Sequence, residues 1–181
     1  MQKFAAAVLV CLAAGAVYAA APTQGTYIPN AEIQRVMNQN PTAPVADQQI
    51  RVIGIDNRQN VGIGVVHRAK TAKQSVGGSS HNDITEVYHV ISGSGTLVVG
   101  GTLQNAKPRA SDSEPVRFLT GPSMEGAAIV GGTSHKIGPG DVIVIPPGTP
   151  HTFTEVTSDQ IVYLVVRFDP KKVLPAGYAA K

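Results

Sequence analysis

The chain has 181 residues, with 15 lysines and arginines, 12 acidic residues and a formal net charge of +3. Its arginines are scattered singly and it contains no tryptophan, which excludes a basic stripe interleaved with stacking aromatics and argues against a nucleic-acid partner. This length suits one domain with a proper core and is short for two.

The first nineteen residues, MQKFAAAVLVCLAAGAVYA, predict an export signal, because a lysine is followed by an apolar run and a small-residue cleavage site. A transmembrane anchor is the alternative, but the run is short for a bilayer and stops in Ala-Ala-Pro without charged residues after it. Cys11, the only cysteine, lies in this segment, so the mature chain has no thiolate ligand or disulfide. We expect a periplasmic or secreted protein with no membrane attachment after signal removal.

Residues 20–49 are expected to form an N-terminal arm. A short helix is predicted over 31–38, capped by Asn30, with Val36 on its apolar face, and it should end before Pro41. That face is expected to pack on the main domain or on a neighbouring subunit.

From residue 50 onward, short apolar or alternating runs separated by Gly, Pro, Asn and Asp predict an all-β sandwich or barrel over 50–170, with a tail at 171–181. The predicted strands are 49–55, 61–69, 86–92, 95–99, 127–130, 142–145, 151–155 and 161–168. The polar, Gly/Pro-rich insertion at 100–126 is expected to be either a lid over a site or a hairpin extension.

Glu86 stands in an otherwise apolar row, on the same strand face as Tyr88. Burying a bare carboxylate costs several kcal/mol, so it needs a cation or a hydrogen-bond partner. A metal ion is one such partner. A salt bridge to Arg51, Arg68 or Arg167 is the alternative.

Two strands that close on one another could bring His81, Glu86 and His151 to a common point. Two imidazoles and one carboxylate form a mononuclear metal site with positions left open for water and substrate.

The run from Gly140 to His151 resembles the second signature of the cupin family, with a glycine, five residues, a proline, one residue, a glycine, two residues and a histidine. Gly140, Pro146, Gly148 and His151 match every position. The resemblance covers roughly residues 50–168.

The first cupin signature is similar to the stretch that ends at Gly93. Glu86 and Gly93 have the family spacing, and His81 stands where the second histidine of the signature belongs. Ser79 replaces the first histidine, so the set is reduced from four ligands to three.

The resemblance implies a cupin-like double-stranded β-helix, a jelly-roll barrel, with the short helical arm attached. It implies His81, Glu86 and His151 as ligands of one divalent transition metal: iron, manganese, nickel, zinc or copper. An emptied relic of the site is the alternative. Cupins commonly dimerise through their sheets, so a homodimer is the assembly that the resemblance suggests.

Three residues are candidate catalytic groups. His67 alternates with apolar residues and is expected to point into the barrel, as a core histidine or as an acid/base group. Tyr88 could order substrate or fill the core. Glu155 shares strand parity with His151 and could be a general base, although the end of a strand is often solvated. His89 and His135 are expected on the exterior.

Two functions fit the sequence. The first is an exported metal-dependent enzyme acting on a small organic molecule, of oxygenase, isomerase or lyase type, since neither a cysteine nor a serine nucleophile is evident. The second is a non-catalytic periplasmic protein that binds a small ligand or a metal.

Overall fold

The computed structural model describes residues 25–74 and 76–181. The predicted export signal at 1–19 lies outside these residues. Across the described residues, every helix falls short of the length and apolar character that a bilayer crossing requires.

The described residues form one α-helix, α1 (Asn30–Met37), twelve strands and one π-helix (Pro115–Thr120). The strands are β1 (Val45–Ile55), β2 (Gln59–Thr71), β3 (Gly78–His81), β4 (Thr85–Ser92), β5 (Gly95–Val99), β6 (Thr102–Gln104), β7 (Lys107–Pro108), β8 (Ser123–Gly126), β9 (Ala128–Val130), β10 (Thr133–Ile137), β11 (Val142–Ile145) and β12 (His151–Asp169). This mostly β architecture with a short N-terminal helix agrees with the predicted fold class.

Helix α1 packs on the outside of the barrel. Its Val36 is fully buried in a cluster with Val65 of β2 and Val162 of β12. The helix begins at Asn30 after Pro29, and no side chain of the described residues caps it, so the predicted Asn30 cap is wrong. Proline fixes the extended backbone angle that a helix entry needs without a side-chain cap.

The 19-residue strand β12 organises the barrel. Its second half pairs with β2 on one side and β4 on the other, and its first half pairs with β3 and β5. β11 extends the sheet beyond β4, and β10 extends it beyond β5. The two strands predicted at 151–155 and 161–168 are therefore one strand, bent by register shifts between Phe153 and Glu155 and between Val156 and Gln160.

The main core lies between these layers. It is formed by inward-facing side chains of β2, β4, β5, β11 and β12, namely Val66, Tyr88, Val90, Leu97, Ile145, Phe153, Val156, Ile161, Tyr163 and Val165, with Ile137 of β10. Each large apolar side chain buried here contributes about 1.5–3 kcal/mol to folding. The packed core fixes the inner faces of β4 and β12, which also carry the buried polar side chains of Glu86 and His151.

The outer face of β4 and β11 has exposed apolar side chains. Val142 and Val144 of β11 are 60% and 59% exposed, and Ile91 of β4 is 44% exposed. Helix α1 covers β2 and β12 on the same side of the barrel but contacts neither β4 nor β11 in the clusters described above.

The 100–126 insertion is built into the barrel. β8 pairs with β3 and β7, and β6 pairs with β9 in a separate two-stranded sheet. Residues of β7, the π-helix and β8 line a cavity of about 770 Å³, so the insertion covers one side of it.

Candidate metal centre

His81 ends β3 with its imidazole buried. Its Nδ1 lies 2.9 Å from Ser123 Oγ, and Ser123 Oγ donates its proton to the Gly121 carbonyl at 2.8 Å. The serine oxygen therefore accepts a hydrogen bond from His81 Nδ1–H, which leaves an unprotonated Nε2 on the neutral ring. A hydrogen bond at one ring nitrogen is how metal-ligating histidines are usually oriented.

His151 begins β12 after a turn that contains Gly148, whose φ of 72° lies in the left-handed region. Its Nδ1 lies 3.1 Å from the Thr149 carbonyl, which can only accept a hydrogen bond. A His151 ring that holds a single proton, at this Nδ1, has its lone pair on Nε2.

Glu86 is 1% exposed on β4, and both of its oxygens have partners. Arg167 Nε donates to Oε1 at 3.0 Å, and the Tyr88 hydroxyl donates to Oε2 at 2.8 Å. Arg167 also donates to Gln49 at 2.8 Å and to Asp47 at 2.6 Å. The salt bridge considered for Glu86 is thus present with Arg167, and it leaves Oε2 directed at the histidines.

The three candidate ligands converge. Glu86 Oε2 lies 3.5 Å from His81 Nε2 and 3.4 Å from His151 Nε2, and one ligand atom from each residue lies within 4.8 Å of the other two. A charge-assisted N–H···O hydrogen bond would be about 2.7–2.9 Å long. Two atoms that bind one ion at about 2.1 Å lie roughly 3.0–3.4 Å apart. The two Glu86 distances are close to this spacing, so the donor set is compatible with a divalent cation.

Burial and neighbouring charges shift the pKa values of the clustered side chains. Burial acts to raise the pKa of Glu86, but His81, His151 and Arg167 outweigh it and hold that pKa well below its ordinary value. Burial lowers the pKa of His81, with Glu86 opposing the shift. Burial and the Glu86 charge raise the pKa of Tyr88 well above its ordinary value, so the phenol keeps its proton. An ionised carboxylate beside a neutral His81 is the form that binds a metal.

A cavity of about 770 Å³ opens onto the cluster. Its wall includes Ser79, the residue in the place of the missing family histidine, and Ser79 pairs with His151 across the β3–β12 ladder. The remaining wall comes partly from the insertion, through Asn105, Lys107, Arg109, Leu119 and Glu125. Small organic molecules fit a cavity of this size.

Tyr88 lies in the cavity wall in hydrogen-bond contact with Glu86, whereas His67 and Glu155 do not line this cavity. His67 shares parity with Val65 and lies on the outer face of β2, with its Nε2 3.1 Å from the Ala43 carbonyl. The expectation that His67 points into the barrel is wrong, because the apolar residues with which it alternates are buried by α1 and not by the barrel interior.

The register shift in β12 displaces Glu155. His151 and Phe153 face inward, but after the irregularity it is Val156 that enters the core. Glu155 is left half-buried, accepting a hydrogen bond from Thr96 Oγ1 at 3.3 Å, and it lines a smaller neighbouring cavity. Simple alternation from His151 therefore placed Glu155 on the wrong face.

His89 and His135 are both exposed, as expected. His135 lies in β10, and not in a turn. The sequence did not reveal Ser123 as the partner of His81, because a serine in a polar insertion carries no signal until β8 is seen beside β3.

The model of the Cupin domain family matches residues 125–167. No curated protein matches the chain in sequence.

Several solved structures are similar to the chain. One is a putative sugar phosphate isomerase from Acidithiobacillus ferrooxidans, at 18% identity and a TM-score of 0.36, over 60% of this chain and 49% of that one. The iron(II) form of HppE has 12% identity and a TM-score of 0.43, over 68% and 50%. A cupin protein from Bacteroides fragilis has 15% identity and a TM-score of 0.37, over 66% and 72%.

The chain spans about half the length of the first two of these proteins. The family match includes His151 and Arg167, and the fold brings His81 and Glu86 to them from β3 and β4. Residues 125–167 are therefore similar to a cupin domain, and the buried His-His-Glu cluster is the candidate metal site.

Proposed function

We propose that the protein is an exported, metal-dependent cupin enzyme that acts on a small organic molecule at His81, Glu86 and His151. The approach of three buried ligand atoms to within 4.8 Å of one another beside a large cavity carries this proposal. Two imidazoles and one carboxylate suit iron, manganese, nickel, zinc or copper and leave coordination positions for other molecules.

A divalent ion in this set would act as a Lewis acid toward a bound substrate or dioxygen. The protein's own part is to hold the ligands in their binding forms. Ser123 and the Thr149 carbonyl keep a proton on each Nδ1, so that both Nε2 atoms face the cluster. Arg167 occupies Glu86 Oε1, which leaves Oε2 as the ligand atom.

Tyr88 is the proton-bearing side chain that contacts the cluster. Its hydroxyl donates to Glu86 at 2.8 Å, and its raised pKa keeps it a donor at neutral pH. It can therefore stabilise the ligand carboxylate or a negatively charged group in the adjoining cavity.

Metal content tests the proposal directly. We expect near-stoichiometric transition metal in the purified protein and its loss in His151→Ala, because two remaining ligands bind weakly. His89→Ala is the matched control, since His89 is exposed on the outer face of β4. A wild-type protein that holds no metal after incubation with each of the five ions would refute the metal site.

Turnover tests the enzyme assignment. Small phenolic and carboxylate compounds should be consumed by the metal-loaded protein and spared after chelation, and activity should return when metal is restored. Turnover that persists at full rate in His151→Ala would exclude the proposed centre.

A non-catalytic periplasmic binding protein is the second candidate function. The positions of His67 and Glu155 favour it, because two of the three groups expected to move protons lie away from the cavity. A metal-loaded protein that retains a bound small molecule through purification and returns it chemically unchanged would support binding over catalysis.

A further inference from the structure

Arg68 of β2 is held rigidly at the cavity wall. Its Nε donates to the Tyr163 hydroxyl at 3.0 Å, and its guanidinium lies over the Phe153 ring, 4.8 Å from the centroid. Stacking and the hydrogen bond fix the plane of the group. Its two terminal nitrogens make no hydrogen bond to residues 25–74 or 76–181 within the distances that define one.

The other cations that line this cavity or contact the cluster each lie within 4.0 Å of a carboxylate, although Lys107 and Arg109 share a single one. Lys107 and Arg109 lie 3.2 and 3.5 Å from Glu125, and Arg167 lies 3.0 Å from Glu86 and 2.6 Å from Asp47.

Arg68 differs from them. Among the described residues, no carboxylate lies within 4.0 Å of its guanidinium. Asp47, which shares the cavity wall, has its Oδ2 held by Arg167. Glu155 borders a smaller cavity that Arg68 also lines, and its Oε2 accepts from Thr96 instead. The Arg68 charge therefore faces the cavity without an ion pair to the described part of the chain, and Asp47 attracts it only from beyond 4.0 Å.

Arg68 contacts two aromatic residues, Phe153 and Tyr163, that lie near the His-His-Glu cluster. Phe153, on which it stacks, lies two residues after His151 on the same face of β12, a separation of about 7 Å along a strand. Tyr163, its hydrogen-bond partner, packs on Tyr88 with ring centroids 4.6 Å apart. A small molecule in this cavity can therefore touch Arg68 at one end and the cluster at the other, with aromatic side chains between.

We propose that Arg68 binds the carboxylate of a small organic acid whose other end faces His81, Glu86 and His151. This names the substrate class of the proposed function and rests on it. Two terminal N–H groups in a fixed plane match a planar carboxylate, and one unpaired positive charge balances one negative charge. For the second charge of a phosphate group the wall offers only the single positive charge that Lys107 and Arg109 leave after sharing Glu125, and Lys107 is 72% exposed, so that solvent screens it.

Calorimetric titration with acetate, butyrate, benzoate and 3-phenylpropionate, each against its neutral amide, tests this. The wild-type protein should bind at least one carboxylate about ten- to hundred-fold more tightly than its amide, as expected for a charge-assisted contact. Inorganic phosphate should bind more weakly than that carboxylate. Equal binding of acid and amide, tighter binding of phosphate, or no binding of any carboxylate would overturn the assignment.

Variants locate the contact. Arg68→Met should lose the preference for acid over amide, and Arg68→Lys should keep only part of it because lysine lacks the planar fork. Arg109→Met is the matched control, a cavity arginine already paired with Glu125, and should change carboxylate affinity by less than about two-fold. An equal loss in Arg109→Met, or an unchanged preference in Arg68→Met, would contradict the proposal.

Metal content of the same variants tests the metal site independently of the Arg68 site. Arg68→Met should keep its metal, and His151→Ala should keep a preference for carboxylate over amide while losing metal. A wild-type protein without metal but with that preference would refute the proposed enzyme and leave the Arg68 site standing. A wild-type protein that binds metal but does not prefer carboxylate to amide would refute the Arg68 site and leave the proposed metal centre standing.

Discussion

Replacing Arg167 by methionine should destabilise the protein more than any other single change at the site. Arg167 is 1% exposed and donates to Glu86, Gln49 and Asp47. Methionine retains much of the buried stem volume but removes all three hydrogen bonds. It leaves Glu86 buried with one cationic neighbour fewer, and Asp47, whose Oδ1 already lacks a partner among the described residues, loses its ion pair.

The expected loss is about 3–5 kcal/mol, the usual cost of leaving a buried charge without its partner. For a domain of this size, each kcal/mol lowers the melting temperature by roughly 2–4 °C, so the midpoint should fall by about 6–20 °C. Bound metal should also leave faster, because Glu86 is no longer fixed through Oε1.

Thermal and urea unfolding of the metal-free protein measure this loss without a contribution from bound ion. Lys107→Met is the control: it breaks an ion pair whose lysine is 72% exposed, and it should cost at most about 1 kcal/mol. The double variant Arg167→Met with Glu86→Gln should lose less than the sum of the single losses. A loss below about 1 kcal/mol for Arg167→Met would refute the view that this arginine compensates a buried carboxylate.

Four further predictions follow from the same structure. Ser79→His should add a fourth ligand from β3 and raise metal affinity about ten-fold or more. Competition with a chelator measures this affinity, and an unchanged value would mean that the new side chain does not reach the ion. The metal-free protein should lose stability as the pH falls through about 6.5 and again below roughly 4.3. The folded pKa values of His81 and Glu86 are lowered, so the unfolded chain takes up protons first as the pH falls. A free energy of unfolding in urea that stays constant over this pH range would contradict the prediction. Protein recovered from the periplasm or medium of an expressing bacterium should begin at Ala20 by mass spectrometry, and an intact N-terminus there would argue against signal cleavage. If the exposed apolar face of β4 and β11 joins two copies, sedimentation should give a dimer for the wild type and a monomer for Val144→Lys, and identical mass for both proteins would exclude this face as the contact.

The sequence predicted the site better than its surroundings. Alternation along β4 placed Glu86 and Tyr88 on the buried face and His89 on the exposed face, as the structure has them. This worked because β4 is regular and has one buried face, so its period of two is maintained throughout.

The same rule failed where the local geometry changes. A register shift in β12 reversed the face of Glu155, and no residue type in the run HTFTEV signals a bulge. The predicted orientation of His67 was wrong for another reason. Both faces of β2 are apolar, one covered by the barrel and one by α1, so alternation alone does not say which face is inside.

Long-range partners were the least predictable part. β3, β7 and β8 are too short and too polar to show a strand period, yet β8 supplies Ser123 to His81. Three arginines were open candidates for Glu86. The choice of Arg167 depends on the pairing of β12 with β4, in which Arg167 lies directly opposite Glu86.

Strand β12 carries His151 at its first residue and Arg167 two residues before its end, so both ends of one strand meet at the His-His-Glu cluster. Opening the barrel at either end should therefore release the cluster, and amide hydrogens along β12 should exchange with deuterium as one slow cooperative unit. The exception should be at residues 158 and 159, where the ladder to β2 is interrupted, since the Thr157 amide still donates to the Ser94 carbonyl. Ion binding at His151 should then slow exchange at the far end of the strand, near Arg167, by as much as it slows exchange beside the histidine.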